Sequence, residues 1–184
     1  MGWFMESSEP LYEYVLRVTG VVEYGASLMA IMGGKAAPPP QGAQFDISFE
    51  GSIDGPKLKG SVRGVDYANI RADGRIDLHI HEQFDLTDGG KVVVFADGIG
   101  TPDAQGILHL RENVSFKSSS PAYAWMNSIQ VWGVGTANLA AGEIRVGTMG
   151  ALQRQEVRRG VCEVMEGGKD ALDKRYYRIS RALS

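Results

Sequence analysis

Two histidines, His79 and His81, stand two residues apart in a run that alternates apolar and polar residues from Arg75 to Leu86. On a strand both imidazoles leave the same face, about 7 Å apart. Such a pair offers two ligands to a metal, or one acid and one base near neutral pH to a substrate lying across the strand. A metal needs a third ligand. Glu50, Asp66, Asp97 and His109 supply the residue types, and no spacing ties any of them to the pair. No metal is assigned. Acid–base work is the chemistry expected of His79 and His81, with a solvated surface pair as the plain alternative, and His109 reads as structural.

A second group lies just upstream, in Asp66-Tyr67 and Arg71-Ala72-Asp73-Gly74. Asp73-Gly74 is a turn signal. Asp66 and Arg71 are either a structural ion pair or two polar groups at the mouth of a cavity. Tyr123, Trp125 and Asn127 make a third group. On a strand these three share a face, giving a stacking wall with an amide beside it, or simply part of a core.

The elements that must position these groups are short. Runs of strand type fall at 11–18, 21–31, 44–53, 57–67, 75–86, 91–96, 106–116, 128–134 and 139–149, with Gly33-Gly34, Asp54-Gly55-Pro56, Asp73-Gly74, Asp88-Gly89-Gly90 and Ala141-Gly142 between them. Turn signals at that spacing predict an antiparallel sandwich or barrel. Glycine supplies 24 of the 184 residues, roughly twice its usual share, as the turns and bulges of a β-rich domain require. In the histidine strand, Ile76, Leu78, Ile80 and Phe84 point one way and Asp77, His79, His81, Gln83 and Asp85 the other. That polar row is either half solvated or, in a closed barrel, a lining for a ligand-binding lumen. Residues 151–184 differ in composition. There Leu172, Tyr176, Ile179 and Leu183 form one apolar stripe, which predicts a short helix docked on the barrel or on a partner subunit.

Charge and cysteine usage exclude other classes. A net charge of −3 with no basic stripe before the last thirty residues argues against nucleic-acid binding. One cysteine, Cys162, leaves no intramolecular disulfide. No charged-then-apolar leader and no apolar run of spanning length are present, so the expectation is a cytoplasmic protein without a membrane partner.

The ordered set Phe49-Glu50-Gly51, Gly55-Pro56-Lys57-Leu58-Lys59-Gly60, Asp66-Tyr67, Arg71-Ala72-Asp73-Gly74, Asp88-Gly89, Tyr123-Ala124-Trp125-Met126-Asn127 and Gly133-Val134-Gly135 resembles the domain-of-unknown-function family thirty-two thirty-seven, over roughly residues 10–150. The resemblance implies an all-β fold: a small closed antiparallel barrel of about eight to nine strands, similar to calycins or to allene oxide cyclase-like barrels and often oligomeric. Related barrels bind hydrophobic small molecules, and some catalyse cyclisations, isomerisations or eliminations without a cofactor. Three departures stand out. Tyr67 replaces a usual tryptophan, Glu50 replaces a usual glycine, and His79 and His81 fall where members commonly carry aspartate and arginine. That last exchange would turn an inward ion pair into two proton-transfer groups.

The combined expectation is a cofactor-independent lyase, isomerase or cyclase acting on a hydrophobic, aromatic small molecule inside the barrel. His79, His81, Asp66 and Arg71 would carry the chemistry, and Tyr67, Tyr123, Trp125, Asn127 and Glu50 would hold the substrate. No cofactor or metal is expected, and a homo-oligomer is. The alternative is a non-catalytic binding or carrier protein using the same lumen.

Overall fold

A computed structural model describes residues 8–151. The expected tail helix over 151–184 falls, past Ala151, outside the described residues. Eight antiparallel strands are β1 (Ser8–Glu23), β2 (Ala43–Asp54), β3 (Lys59–Ile70), β4 (Ile76–Leu86), β5 (Lys91–Pro102), β6 (Leu108–Lys117), β7 (Gln130–Asn138) and β8 (Glu143–Ala151). Each pairs with its neighbour in sequence, and β8 pairs back onto β1, which closes the barrel. Closure leaves no free edge among these strands. The expected closed all-β barrel is therefore the fold.

Two of the nine expected strands merge. The runs 11–18 and 21–31, with Thr19-Gly20 between them, share one strand as far as Glu23. In the folded chain the register with β2 shifts between Val18 and Gly20, so this is a bulge inside one sixteen-residue strand. The later part of the second run is helical. Short helix α1 (Leu28–Met32) is N-capped by Ser27, whose Oγ accepts from the Ala30 amide at 3.4 Å.

Alternation fills the interior. Phe45, Ile47 and Phe49 of β2, Ile76, Leu78, Ile80 and Phe84 of β4, Leu108, Leu110, Val114 and Phe116 of β6, and Val131 of β7 all point inward and are buried. A bulge in β1 between Pro10 and Tyr12 lets the consecutive residues Leu11 and Tyr12 both be buried. Close strand approach uses glycine as well as turns do. A Cβ on Gly98 of β5 would stand 2.1 Å from the Arg111 carbonyl oxygen of β6, a distance no larger residue tolerates.

The two ends of the barrel differ. At the end where β6 passes to β7, a 3-10 turn at Ala124–Ser128 drives Met126 fully into the interior. Beyond it Tyr12, Phe84 and Phe116 pack ring against ring, with centroids 5.3 to 6.4 Å apart. These rings and Met126 plug that half. The opposite half, towards α1 and the β7–β8 turn, keeps a cavity.

Candidate functional site

The cavity follows from side-chain size. Its upper walls are Leu108 and Leu110 of β6, Ile76, Leu78 and Ile80 of β4 and Ala68 and Ile70 of β3, with Leu28 of α1 and Leu139 at the far end. The space open to the centres of water-sized molecules is about 40 Å³.

Polar groups gather at its floor. Asp66 of β3, Glu82 of β4 and Glu112 of β6 each occupy an inward position on their strands, only 9%, 5% and 4% exposed. Glu82 lies one inward position from Phe84, and Glu112 two from Phe116, so the carboxyls sit just above the aromatic plug. Tyr14 of β1 reaches across and donates its hydroxyl to Glu112 Oε2 at 3.3 Å. A Cβ on Gly133 of β7 would stand 2.9 Å from the same Oε2, so the missing side chain there makes room for the Glu112 carboxyl. Asp66 Oδ1 accepts the backbone N–H of His79 at 2.9 Å. This happens where the β3–β4 ladder is interrupted between Asp66 and Asn69, so the carboxyl takes over a ladder bond. Glu82 Oε1 is fully buried and has no hydrogen-bond partner among the described residues.

Among the described residues, no arginine, lysine or histidine side chain lines the cavity. Burial therefore acts on the three carboxyls without a compensating cation. Desolvation, with the charge of Glu112 and then Asp66 beside it, pushes Glu82 up to about 8. Glu112 rises to about 7, chiefly by desolvation, which outweighs the hydrogen bond from Tyr14. Asp66 rises to about 6, also by desolvation, held back by the His79 amide. Burial thus pushes all three floor groups towards their neutral forms, Glu82 furthest.

The residues singled out in the sequence are dispersed. Asp66 lines the lumen; none of the others does. His79 and His81 are exposed on the outer face of β4, because the strand's apolar phase, Ile76 to Leu86, faces inward. The expected inward polar row is thus corrected to an outward one. There His79 Nδ1 lies 2.6 Å from Asp97 Oδ1, and His81 packs edge-on against Phe95 and Tyr67, with centroids 4.9 and 5.4 Å away. Tyr67 is exposed on that same wall. Arg71 does not meet Asp66. It grips Asp77 through Nε and Nη2, both at 2.7 Å, across the β3–β4 turn. Glu50 pairs with Arg17 on the outer face of β2 and β1.

Tyr123, Trp125 and Asn127 are not on a strand. They belong to the plug segment at the end away from the cavity. Tyr123 donates to Asp88 Oδ2 at 2.6 Å, and the Trp125 ring lies under Lys57 Nζ at 5.4 Å. Asn127 exchanges two hydrogen bonds with the Ser118 backbone. Ser118-Ser119-Ser120-Pro121, just upstream, breaks the strand that the aromatic alternation suggested. His109 pairs with Asp103 at 3.1 Å on the surface. Among the described residues, no three histidine, cysteine or carboxyl side chains converge as metal ligands.

Glu82 and Glu112 escaped the sequence reading, although their signal was present. Leu108, Leu110, Glu112, Val114 and Phe116 alternate without a break, and so do Ile76, Leu78, Ile80, Glu82 and Phe84. A charged residue in the apolar phase is the mark of a buried carboxyl.

A closed barrel plugged at one end, with an apolar cavity floored by carboxyls, defines a small lumenal β-barrel protein. Within that class the chain belongs to the family described as "Protein of unknown function (DUF3237)", which matches residues 40–149, from just before β2 into β8. No curated protein matches the chain. Among solved structures it is similar to a protein of unknown function from Clostridium acetobutylicum, 18% identical, covering 81% of this chain and 99% of that one with a TM-score of 0.67. A beta-barrel like protein from Acinetobacter baumannii is 19% identical, covering 78% and 94%, with a TM-score of 0.64. An enzyme from Penicillium herquei is 21% identical, covering 81% and 99%, with a TM-score of 0.58. At such identities the likeness is one of fold. No helix among the described residues is long and apolar enough to cross a membrane.

Proposed function

We propose that the protein is a cofactor-independent acid–base enzyme of lyase, isomerase or cyclase type, acting on a small hydrophobic molecule held in the lumen. One observation carries this reading. Asp66 and Glu82 stand on adjacent strands of one cavity whose described lining holds no cation, and burial pushes Glu82 further up than Asp66, which divides the roles of acid and base between them. Environments that drive paired carboxyls apart in this way are how such groups divide the two roles. Asp66 opposes Ile80 in the ladder, which places Glu82 one diagonal step away, about 7–8 Å between backbones. A substrate carbon or hydroxyl can therefore meet both carboxyls at once. Asp66 removes a proton, Glu82 delivers one, and Glu112 with Tyr14 holds an oxygen substituent.

The same lumen suits a non-catalytic carrier, favoured by its largely apolar wall. Elimination of 5-nitrobenzisoxazole, a cofactor-free proton abstraction from a flat apolar molecule, separates the two. The expected result is turnover above that of equimolar acetate, falling at least tenfold in Asp66→Asn. The asparagine keeps an acceptor for the His79 amide. Saturable binding with no turnover supports the carrier, and equal rates in wild type and Asp66→Asn overturn the catalytic reading.

A further inference from the structure

The lumen is asymmetric along its length. Its floor holds Asp66, Glu82 and Glu112, and everything above, from Ile80 and Leu110 to Leu28 and Leu139, is aliphatic. Glu82 Oε1 is fully buried and unpartnered there. A native carboxyl left in that state is incomplete, because burial without a hydrogen bond carries a desolvation cost that a ligand donor would recover.

We propose that the ligand of this lumen is a slender apolar molecule ending in a protonated amine, bound with the ammonium group on the carboxyl floor and the hydrocarbon between Leu78, Ile80 and Leu110. This rests on the lumen reading above and names its substrate class. An ammonium group brings three donors and no acceptor, which matches a floor of carboxyl oxygens. Of the donors already present, the Tyr12 hydroxyl is buried and, among the described residues, makes no hydrogen bond. Tyr14 serves Glu112 and the His79 amide serves Asp66, while Glu82 Oε1 has none.

Charge selects in the same direction. The groups facing the floor are Tyr12 and Tyr14 from β1, Asp66 from β3, Glu82 from β4 and Glu112 from β6. The inward positions of β2, β5, β7 and β8 carry only apolar residues, glycine and Thr148. Among the described residues no cation offsets the carboxyls, so an anionic ligand meets repulsion and a neutral one gains hydrogen bonds alone. A metal ion is a poorer occupant, because the three carboxyls do not converge as ligands. Seating a cation favours ionised carboxyls, so the floor must release protons as the amine enters, Glu82 keeping the one it delivers.

Isothermal calorimetry with n-butylamine, 1-butanol and butyrate, equal in chain length, tests the assignment on the whole chain at pH 7. The expected order places the amine at least tenfold tighter than the alcohol, with butyrate weakest. Only the amine should release protons, read from the difference between heats in phosphate and in Tris. Glu82→Gln and Glu112→Gln, checked for folding by thermal melting, should each weaken the amine and leave the alcohol unchanged. Butanol or butyrate binding as tightly as the amine, or amine binding without proton release, overturns the proposal. Failure of all three to bind removes the lumen reading with it. An amine that binds as expected while Asp66→Asn leaves 5-nitrobenzisoxazole turnover unchanged removes only the catalytic role.

Discussion

Burial beside other carboxyls makes Glu82 costly to ionise, and replacing it should make the protein more stable. The folded chain pushes this carboxyl up to about 8 from an ordinary 4.5, so the native state keeps a proton that the unfolded chain releases. Stability then falls as pH rises between those two values, by about 1.4 kcal/mol per pH unit from this group alone. At pH 7 the accumulated cost is about 3 kcal/mol. Glu82→Gln removes it while keeping the shape and polarity of the neutral acid. The variant and wild type should match within about 1 kcal/mol near pH 4.5 and diverge steadily up to pH 8. For a barrel of this size, 3 kcal/mol corresponds to roughly 6–12 °C in Tm at pH 7. Urea unfolding and thermal melts of both proteins from pH 4.5 to 8.5 measure the gap. A gap that does not change with pH would refute the reasoning, because it would mean that Glu82 ionises normally. A variant less stable than wild type at pH 8 would do so more sharply, since it would reveal a stabilising partner for the carboxylate.

Two further outcomes separate plug, wall and lumen. Met126→Ala, at a fully buried position in the plug, should cost about 2–5 kcal/mol in urea unfolding, and a loss below about 1 kcal/mol would show that the segment does not seal the barrel. His79→Ala and His81→Ala, on the outer wall, should leave folding and n-butylamine affinity within twofold of wild type. A tenfold loss in calorimetry would return the histidines to the site.

The fold was legible because a barrel advertises itself in punctuation. Asp54-Gly55-Pro56, Asp73-Gly74, Asp88-Gly89-Gly90 and Ala141-Gly142 all lie in or beside turns between paired strands. Gly20 misled, since a glycine in a long bent strand looks locally the same as a turn. The site was half legible. Attention went to His79 and His81 because imidazole titrates near neutrality in water, yet in a barrel wall position decides more than residue type. Desolvation brought Glu82 and Glu112 into that range instead, and it acts only on the inward phase. The alternation of these strands contains that phase, and Glu82 and Glu112 stand in it with nothing in their residue type to mark them. Tyr123, Trp125 and Asn127 show the reverse error. Aromatic alternation suggested a wall, but a 3-10 turn held by Asn127 on Ser118 makes them a stopper.

Ser8 and Ala151 are paired residues on neighbouring strands. The ring is therefore complete except for one missing covalent turn, between β8 and β1. Antiparallel neighbours can be joined by a loop of about 2–5 residues. Linking residue 151 to residue 8 and opening the chain at the exposed Asp88-Gly89 turn would keep every strand pairing and every lumen residue in place. Strand order along the polypeptide is thus separable from the architecture: the barrel is defined by who neighbours whom around a circle, and β1 is first only by where that circle is cut.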